Sequence, residues 1–356
     1  MANILVLGVK VPYTSGGQEI LVSDLQRELK ARGHKVDLVE LPFKVHPKEE
    51  FLNQCAHWRL LDFDNLGAED TDLIIATKFP TYFAKYTKKS VWLVHQHRAL
   101  YDLYGGRYAD FGDDPRDEEL RRMLTEADNK CLAEADYIAG ISANVTKRLE
   151  DFNGIKADVL YPPLPQAGKY QSNDAEDYIL SVGRICGIKR VDMMIKALPI
   201  VHHHVKLKIV GRPDEATIMD YLESEIARHH LTDRVEFLGR VSNEDLIDLF
   251  SRAMAVYYAP HNEDYGYVTL EAMASGRPVV TATDSGGVLE FVKHEENGLI
   301  LDPTSDSIGH GVNRLVEDAE FAKQMGQNGL EWIKSSGLDS TGWDRVIDGL
   351  LSPIQS

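Results

Sequence analysis

Residues 255–276 read AVYYAPHNEDYGYVTLEAMASG, and this stretch predicts a buried strand, a turn and a helix in immediate succession. The apolar run at 255–258 predicts the strand, and Pro260 ends it because proline cannot donate a ladder hydrogen bond. Gly266 marks a tight turn. Residues 268–275 then predict a helix, with a glycine directly after it as the stop signal.

The predicted helix start is an anion site with a glutamate on either side. Backbone N–H groups at a helix start attract phosphates, so we expect Tyr267, Val268 and Thr269 to have unpaired N–H groups. Glu271 lies inside the helix, where a carboxylate can accept both hydroxyls of a ribose. Glu263 lies in the preceding loop, where a sugar would lie. Eight positions correspond to about 12 Å along a helix, which suits a long ligand held at two points.

The alternation of strand and helix extends over the whole chain. Twelve short apolar runs, six in each half, are separated by segments with helical spacing. The runs lie at residues 4–7, 36–39, 73–76, 91–94, 137–141 and 159–161, and then at 178–182, 207–210, 235–238, 255–258, 279–282 and 299–301. Continuous apolar runs of this length are typical of buried parallel strands. We therefore predict an α/β fold with two doubly wound halves.

A proline-rich stretch at 162–165, followed by polar residues, separates the two halves. We predict a first domain over residues 1–164, a second over 165–337 and a C-terminal helix over 338–356. Ligands of open α/β sheets bind at the carboxyl ends of the strands. We therefore expect functional residues in the loops after strands, and a ligand in the cleft between the domains.

A cationic loop follows the first strand of the second half. Gly183, Arg184 and Lys189 lie in it, and a planar guanidinium with an ammonium suits a diphosphate. Glycine at such a position lets the backbone come close to a ligand. Gly211 ends the next strand, and Val241 follows the strand after that. We expect these two residues to contact the donor, with backbone groups near Val241 facing a base.

In the first half, Gly16 and Gly17 open a helix after the first strand, and two glycines there allow close approach to a phosphate or sugar. The dinucleotide fingerprint Gly-x-Gly-x-x-Gly is absent, which argues against a dehydrogenase. His95 and His97 follow the strand at 91–94. A histidine there can hydrogen-bond the donor sugar or the acceptor, and the alternative is that it caps the next turn.

Further along, Tyr101 and Arg107 lie in a segment that matches no general motif, where we expect the acceptor to enter. Together with Gly16 and His97 they form the predicted acceptor side.

The composition and charge of the chain argue against several classes of protein. The formal net charge is −17, which argues against a nucleic-acid partner. No run of eighteen apolar residues occurs, so no membrane span is predicted. The three cysteines are far apart, and the N-terminus lacks a basic leader. We expect a cytoplasmic protein with at most peripheral contact at the inner face of a membrane.

In combination, these motifs resemble family 4 of the glycosyltransferases, which are retaining enzymes with the two-domain GT-B fold. The resemblance covers nearly the whole chain, through Gly16-Gly17, His95, Gly183-Arg184, Lys189 and the Glu263-x7-Glu271 motif. It implies two Rossmann-like domains that face each other across a cleft, the first for the acceptor and the second for the donor. The C-terminal helix would cross back to the first domain.

The resemblance also implies roles for single residues. Arg184 and Lys189 would bind the diphosphate, Glu263 the transferred sugar and Glu271 the ribose. His95 would lie near the sugar hydroxyls. The backbone after Gly266 would bind phosphate. We expect His95, Glu263, Arg184 and Lys189 to be the catalytic group.

The expected reaction moves a hexose, with retention, from a UDP-sugar such as UDP-glucose to a saccharide or lipid-linked saccharide acceptor. This chemistry would serve the synthesis of surface polysaccharide or glycoconjugates. The scheme requires no metal and no cofactor besides the nucleotide sugar. A GDP-mannose-dependent mannosyltransferase, a nucleotide-sugar 2-epimerase and a nucleotide-sugar sensor without transferase activity remain as alternatives.

Overall fold

The computed structural model describes residues 1–12, 16–64, 70–112 and 114–355. It divides into two α/β units, the first formed by residues 1–165 with 341–356 and the second by residues 166–340. Each unit contains a six-stranded parallel sheet with helices around it, so the predicted doubly wound α/β fold is confirmed. None of the helices in these described stretches is long and apolar enough to cross a membrane.

All twelve apolar runs fall on strands, which the structure extends or shortens by a few residues. The strands are β1 (Asn3–Lys10), β2 (Lys35–Pro42), β3 (Leu73–Ala76), β4 (Lys89–Leu93), β5 (Tyr137–Gly140), β6 (Asp158–Val159), β7 (Tyr178–Val182), β8 (Lys206–Val210), β9 (Val235–Gly239), β10 (Ala255–Tyr257), β11 (Val279–Ala282) and β12 (Gly298–Leu301).

The helices are α1 (Gly17–Ala31), α2 (Glu50–Leu60), α3 (Pro115–Leu132), α4 (Ala143–Asn153), α5 (Val191–Ala197), α6 (Ala216–Arg228), α7 (Asn243–Arg252), α8 (Tyr267–Ala274), α9 (Ser305–Glu317), α10 (Ala319–Ser335) and α11 (Trp343–Gln355). Helix α8 is the helix predicted at 268–275. It begins one residue earlier and ends one residue earlier than predicted.

The first sheet has the strand order β2-β1-β3-β4-β5-β6 and is buried under the flanking helices. The C-terminal helix α11 packs on it: the Ser90 hydroxyl on β4 donates a hydrogen bond of 2.7 Å to the Leu350 carbonyl. The rings of Trp92 and Trp343 meet edge to face with centroids 6.0 Å apart. These contacts make α11 part of the first unit.

The second sheet has the strand order β12-β11-β10-β7-β8-β9. From β7 the chain runs outward through β8 and β9, and it then returns to place β10 on the other side of β7. The direction of winding therefore reverses between β7 and β10, and this reversal opens a crevice at the carboxyl ends of the two strands. The loops that follow β7 and β10 are brought together at that point.

Glycines end three adjacent strands of the second sheet. The Gly183 N–H donates to the Val210 carbonyl at 3.0 Å, and the Gly211 N–H donates to the Gly239 carbonyl at 2.8 Å. Gly211 has a φ of 150°, and a Cβ atom there would lie 1.8 Å from the Gly183 carbonyl oxygen. Only glycine permits this approach of two backbones.

A buried polar cluster lies inside the first unit. Asp128 is fully buried, and the Tyr101 hydroxyl donates a hydrogen bond of 2.6 Å to its carboxylate. The side-chain amide of Asn153 donates to the same hydroxyl at 3.2 Å. Burial raises the pKa of Asp128 to about 7, although the hydrogen bond from Tyr101 opposes the rise. Tyr101 is only 4% exposed, which corrects the prediction that it contacts an acceptor.

Replacing Asp128 with Asn should stabilise the first unit increasingly as the pH rises from 5 to 8. The folded-state pKa is raised above the unfolded value, so the wild-type chain loses stability as the pH rises through about 7. Each pKa unit corresponds to about 1.4 kcal/mol. Chemical denaturation followed by tryptophan fluorescence measures the difference, because Trp58, Trp92 and Trp343 all lie in this unit.

The matched control is Asp110→Asn at an exposed position, which should change the unfolding free energy equally at both pH values. A constant difference between the wild-type and Asp128→Asn proteins from pH 5 to pH 8 would show that the buried carboxyl does not titrate there.

Candidate functional site

Lys189 and Glu263 meet where β7 and β10 adjoin. Lys189 ends a short 3-10 turn (Gly187–Lys189) after β7, and its ammonium forms an ion pair with the Glu263 carboxylate. The same ammonium donates a hydrogen bond of 3.0 Å to the Tyr258 hydroxyl. The two charged side chains are only 16% and 18% exposed. Burial alone would lower the pKa of Lys189, but the Glu263 charge outweighs it and raises this pKa.

Backbone hydrogen bonds hold the Glu263 loop on both sides. Towards β7, the His261 N–H donates to the Ile188 carbonyl at 2.8 Å. Towards β11, the Glu263 N–H donates to the Ser285 carbonyl at 3.2 Å, and the Gly287 N–H donates back to the Glu263 carbonyl at 2.7 Å. Glu263, in the loop after β10, is therefore also held by the loops that follow the two neighbouring strands, β7 and β11.

Gly266, which caps the start of α8, lies three residues after Glu263. Gly266 has a φ of 91°, and a Cβ atom there would lie 3.0 Å from Cε1 of Tyr258, so the turn requires glycine. Tyr267 and Val268 are the first two residues of the helix. The Thr269 N–H, however, donates to the Gly266 carbonyl at 3.0 Å. The prediction of an unpaired N–H at Thr269 is therefore wrong, because the first turn of the helix already uses it.

Glu271 lies one turn into α8. The hydroxyl of Tyr170 donates a hydrogen bond of 3.1 Å to its Oε1 atom. Burial raises the pKa of Glu271 to about 7, and the bond from Tyr170 opposes that rise. The ring of Tyr170 packs edge to face on Phe250 at 6.5 Å. Sequence reasoning missed Tyr170, because it lies in the polar stretch that we predict as a linker and nothing marks it there.

Arg184 lies on the other side of β7, towards β8. Its guanidinium is 58% exposed and pairs with Asp214 at 2.5 Å. The predicted donor residues Gly183, Gly211 and Val241 follow β7, β8 and β9 in turn, so they share the carboxyl edge of this sheet. The structure thus brings Lys189 and Glu263 into contact, whereas Arg184 is held by a carboxylate that the sequence analysis did not single out.

In the first unit, Gly16 caps α1 and Gly17 is its first residue. The Gly16 N–H donates to the Glu19 carboxylate at 2.8 Å. The φ of Gly16 is −153°, an extended conformation that any residue can adopt. The backbone of the first unit therefore does not itself require glycine at position 16.

The two histidines after β4 have different surroundings. Nδ1 of His95 lies 2.6 Å from the Gln96 carbonyl oxygen. The His97 ring packs against Phe51 at 4.3 Å and Phe79 at 5.4 Å. Burial, with a smaller effect of His95, lowers the pKa of His97 to about 3. His97 is therefore neutral at physiological pH, and its ring lies among aromatic side chains.

Arg107 is the exposed member of the predicted acceptor side. Its guanidinium lies over the Tyr108 ring, 5.8 Å from the centroid. Tyr101 points into the unit instead, towards Asp128. An exposed cation on an aromatic ring is available to a ligand, whereas a buried phenol with a satisfied hydroxyl is not.

The chain is similar in sequence to glycosyltransferases. Residues 165–332 match the family model of the group 1 glycosyl transferases. An uncharacterised glycosyltransferase of Methanocaldococcus jannaschii is 26% identical over 94% of this chain and 93% of its own length. The N-acetyl-alpha-D-glucosaminyl L-malate synthase of Bacillus anthracis is 24% identical over 92% of both chains.

A solved structure shows the same fold over the full length. The HepE protein of Anabaena, in complex with UDP-glucose, superposes with a TM-score of 0.77 at 20% identity, covering 99% of this chain and 100% of that one. The family match and the two curated relatives support glycosyltransferase activity for the chain, and the HepE structure shows the likeness of fold.

Proposed function

We propose that the chain is a retaining glycosyltransferase that uses a UDP-sugar, such as UDP-glucose, and acts in the cytoplasm. The acceptor is a saccharide or a lipid-linked saccharide, in surface polysaccharide or glycoconjugate synthesis. One observation carries the proposal: Lys189 and Glu263 are paired at the reversal of the second sheet, beside the glycine turn that opens α8. A cation, a carboxylate and a helix start suit a sugar diphosphate.

The order of the proposed ligand contacts along the site follows the order of their residues in the chain. Glu271 lies inside α8, the turn at Gly266 precedes it, and Glu263 lies in the loop before the turn. A ribose at Glu271 would direct the diphosphate to the helix start and the sugar to Glu263. Lys189 contacts Glu263 directly, so in this arrangement it would lie where the sugar and the diphosphate join.

At the anomeric carbon, the proposed step forms one bond and breaks one. The oxygen of the acceptor hydroxyl bonds to the anomeric carbon, and the bond from that carbon to the diphosphate oxygen breaks. The acceptor proton passes to the departing phosphate on the same face, so the configuration is retained. Lys189, Arg184 and the helix start stabilise the charge on the leaving group. Since they supply the positive charge, the proposed reaction needs no metal ion.

Two relatives guide the choice of substrates for assay. The HepE structure contains UDP-glucose, which favours uridine over guanosine as the base. The Bacillus anthracis relative is named for N-acetyl-glucosamine as the transferred sugar and L-malate as the acceptor. UDP-N-acetylglucosamine and a small hydroxy acid therefore belong beside UDP-glucose and saccharides in the assay, with GDP-mannose as the alternative donor.

The purified chain should release nucleoside diphosphate slowly from a UDP-sugar, and an acceptor should accelerate the release. Donor cleavage without acceptor is expected because water can reach the anomeric carbon in its place. A coupled assay over the donors named above measures the release, with and without EDTA. Donors that bind tightly but stay intact with every acceptor would favour a sensor, and loss of turnover in EDTA would contradict the metal-free scheme.

Donor binding should tighten as the pH rises from 6 to 8. Glu271 has a pKa of about 7, and its ionised form accepts hydrogen bonds from ribose more strongly than the protonated form does. Calorimetry with UDP-glucose measures the dissociation constant across this range. Glu271→Gln should bind more weakly and lose this pH dependence, whereas Glu223→Gln, at an exposed position on α6, should retain both. An unchanged affinity in Glu271→Gln would rule out the ribose contact.

Replacing Lys189 with Met should lower kcat by roughly 100-fold, the usual effect of removing one group that stabilises transition-state charge. Lys206→Met, at the exposed first residue of β8, is the matched control and should keep its turnover. Steady-state release of nucleoside diphosphate measures both variants, and their melting temperatures show that they are folded. Near-normal turnover of a folded Lys189→Met protein would remove Lys189 from the mechanism.

A further inference from the structure

Arg190 follows Lys189 and has an unusual backbone conformation. Its φ is 53°, in the left-handed region that residues with a side chain seldom adopt. It joins the 3-10 turn that ends at Lys189 to helix α5. A long charged residue therefore occupies a position where glycine would be the unstrained choice. The contacts of its side chain must offset the strain of this backbone conformation.

The guanidinium of Arg190 makes four hydrogen bonds to two other loops. It donates to the carbonyl of Ala259 at 2.7 Å and to that of Pro260 at 2.9 Å. It also donates to both carboxylate oxygens of Asp284, at 2.7 and 2.9 Å. In return, the Arg190 carbonyl accepts a bond of 2.9 Å from the Tyr257 hydroxyl. The side chain is 11% exposed.

The acceptors of Arg190 lie in the loops that follow β10 and β11, next to the crevice between β7 and β10. Ala259 and Pro260 leave β10 three to four residues before Glu263, and Asp284 follows β11. The carbonyls after the end of β10 have no further strand to pair with, so the guanidinium satisfies them. The Asp284 carboxylate also lies 3.2 Å from Nδ1 of His261, one residue after Pro260. Arg190 thus ties the loops of β7, β10 and β11 together.

We propose that Arg190 is a positioning residue for the reaction, which fixes Lys189 and Glu263 relative to each other by clamping these three loops. The inference rests on the proposed function of the Lys189–Glu263 pair. Lys189 is the neighbour of Arg190 in the chain, and Glu263 is carried by the loop whose first carbonyls Arg190 holds. Without the guanidinium, the carbonyls of Ala259 and Pro260 lose a donor, Asp284 loses two hydrogen bonds but keeps its contact with His261, and the Glu263 loop relaxes.

Arg190→Gly removes the side chain without straining the backbone, because glycine adopts a φ of 53° without strain. The variant therefore tests the effect of the side chain alone. We expect kcat for donor cleavage to fall about 100-fold, since small displacements of catalytic groups have effects of this size. KM should change less, because Glu271 and the start of α8 remain. Added guanidinium ion should restore part of the activity, and Arg190→Lys should stay impaired because an ammonium lacks the planar fork.

His230→Gly is the matched control, because His230 has a φ of 55° and is exposed after α6. It should keep normal kinetics. Hydrogen exchange of residues 259–264 provides a readout without substrate: Arg190→Gly should accelerate it by roughly tenfold or more, and guanidinium should reverse the change.

Two results would overturn the role of Arg190. One is an Arg190→Gly protein with wild-type kcat and wild-type exchange in residues 259–264. The other is a loss of activity that guanidinium does not relieve and that follows the unfolded fraction. A wild-type chain that cleaves no nucleotide sugar would instead contradict the proposed function, and hydrogen exchange would still show whether Arg190 clamps the loops.

Discussion

The pairing of β7 with β10 is the constraint on which the candidate site depends. Because β8 and β9 are added on one side of β7, and β11 and β12 on the far side of β10, the loops after β7 and β10 emerge side by side. Lys189 and Glu263, which lie 74 positions apart in the chain, meet there. Gly183 and Gly211 then continue the same edge towards β9, and Asp284 continues it towards β12.

Each of the two cations predicted to bind the diphosphate has a carboxylate partner: Lys189 pairs with Glu263, and Arg184 pairs with Asp214. A diphosphate would compete with these carboxylates for the cations. The two pairs differ in burial, since Arg184 is mostly exposed and Lys189 is not, so the Lys189 pair is less screened by solvent. We expect Lys189 to dominate the electrostatics of the site.

The strands were predictable because parallel strands buried on both faces are continuous apolar runs. The start of α8 was predictable to one residue because proline and glycine mark the ends of elements. The roles of Glu271 and Lys189 in binding a ligand are still predictions, although their places at a helix and at a strand end follow from the sequence.

What escaped prediction depends on contacts between distant segments. Tyr101 has the same aromatic character as an exposed ligand contact, but Asp128, 27 positions later, draws its hydroxyl inward. Tyr170 reaches Glu271 across 101 positions. Arg190 looks like the second half of an exposed Lys-Arg pair, and only the fold shows the carbonyls of Ala259 and Pro260 at its guanidinium. No local pattern encodes such partners.

A crystal structure of the chain with bound UDP tests the central claim most directly. We expect the diphosphate oxygens within about 3 Å of the Lys189 ammonium and of backbone N–H groups at the start of α8, with the ribose hydroxyls on the Glu271 carboxylate. A nucleotide bound away from the crevice between β7 and β10, or one whose ribose does not contact Glu271, would contradict the site described above.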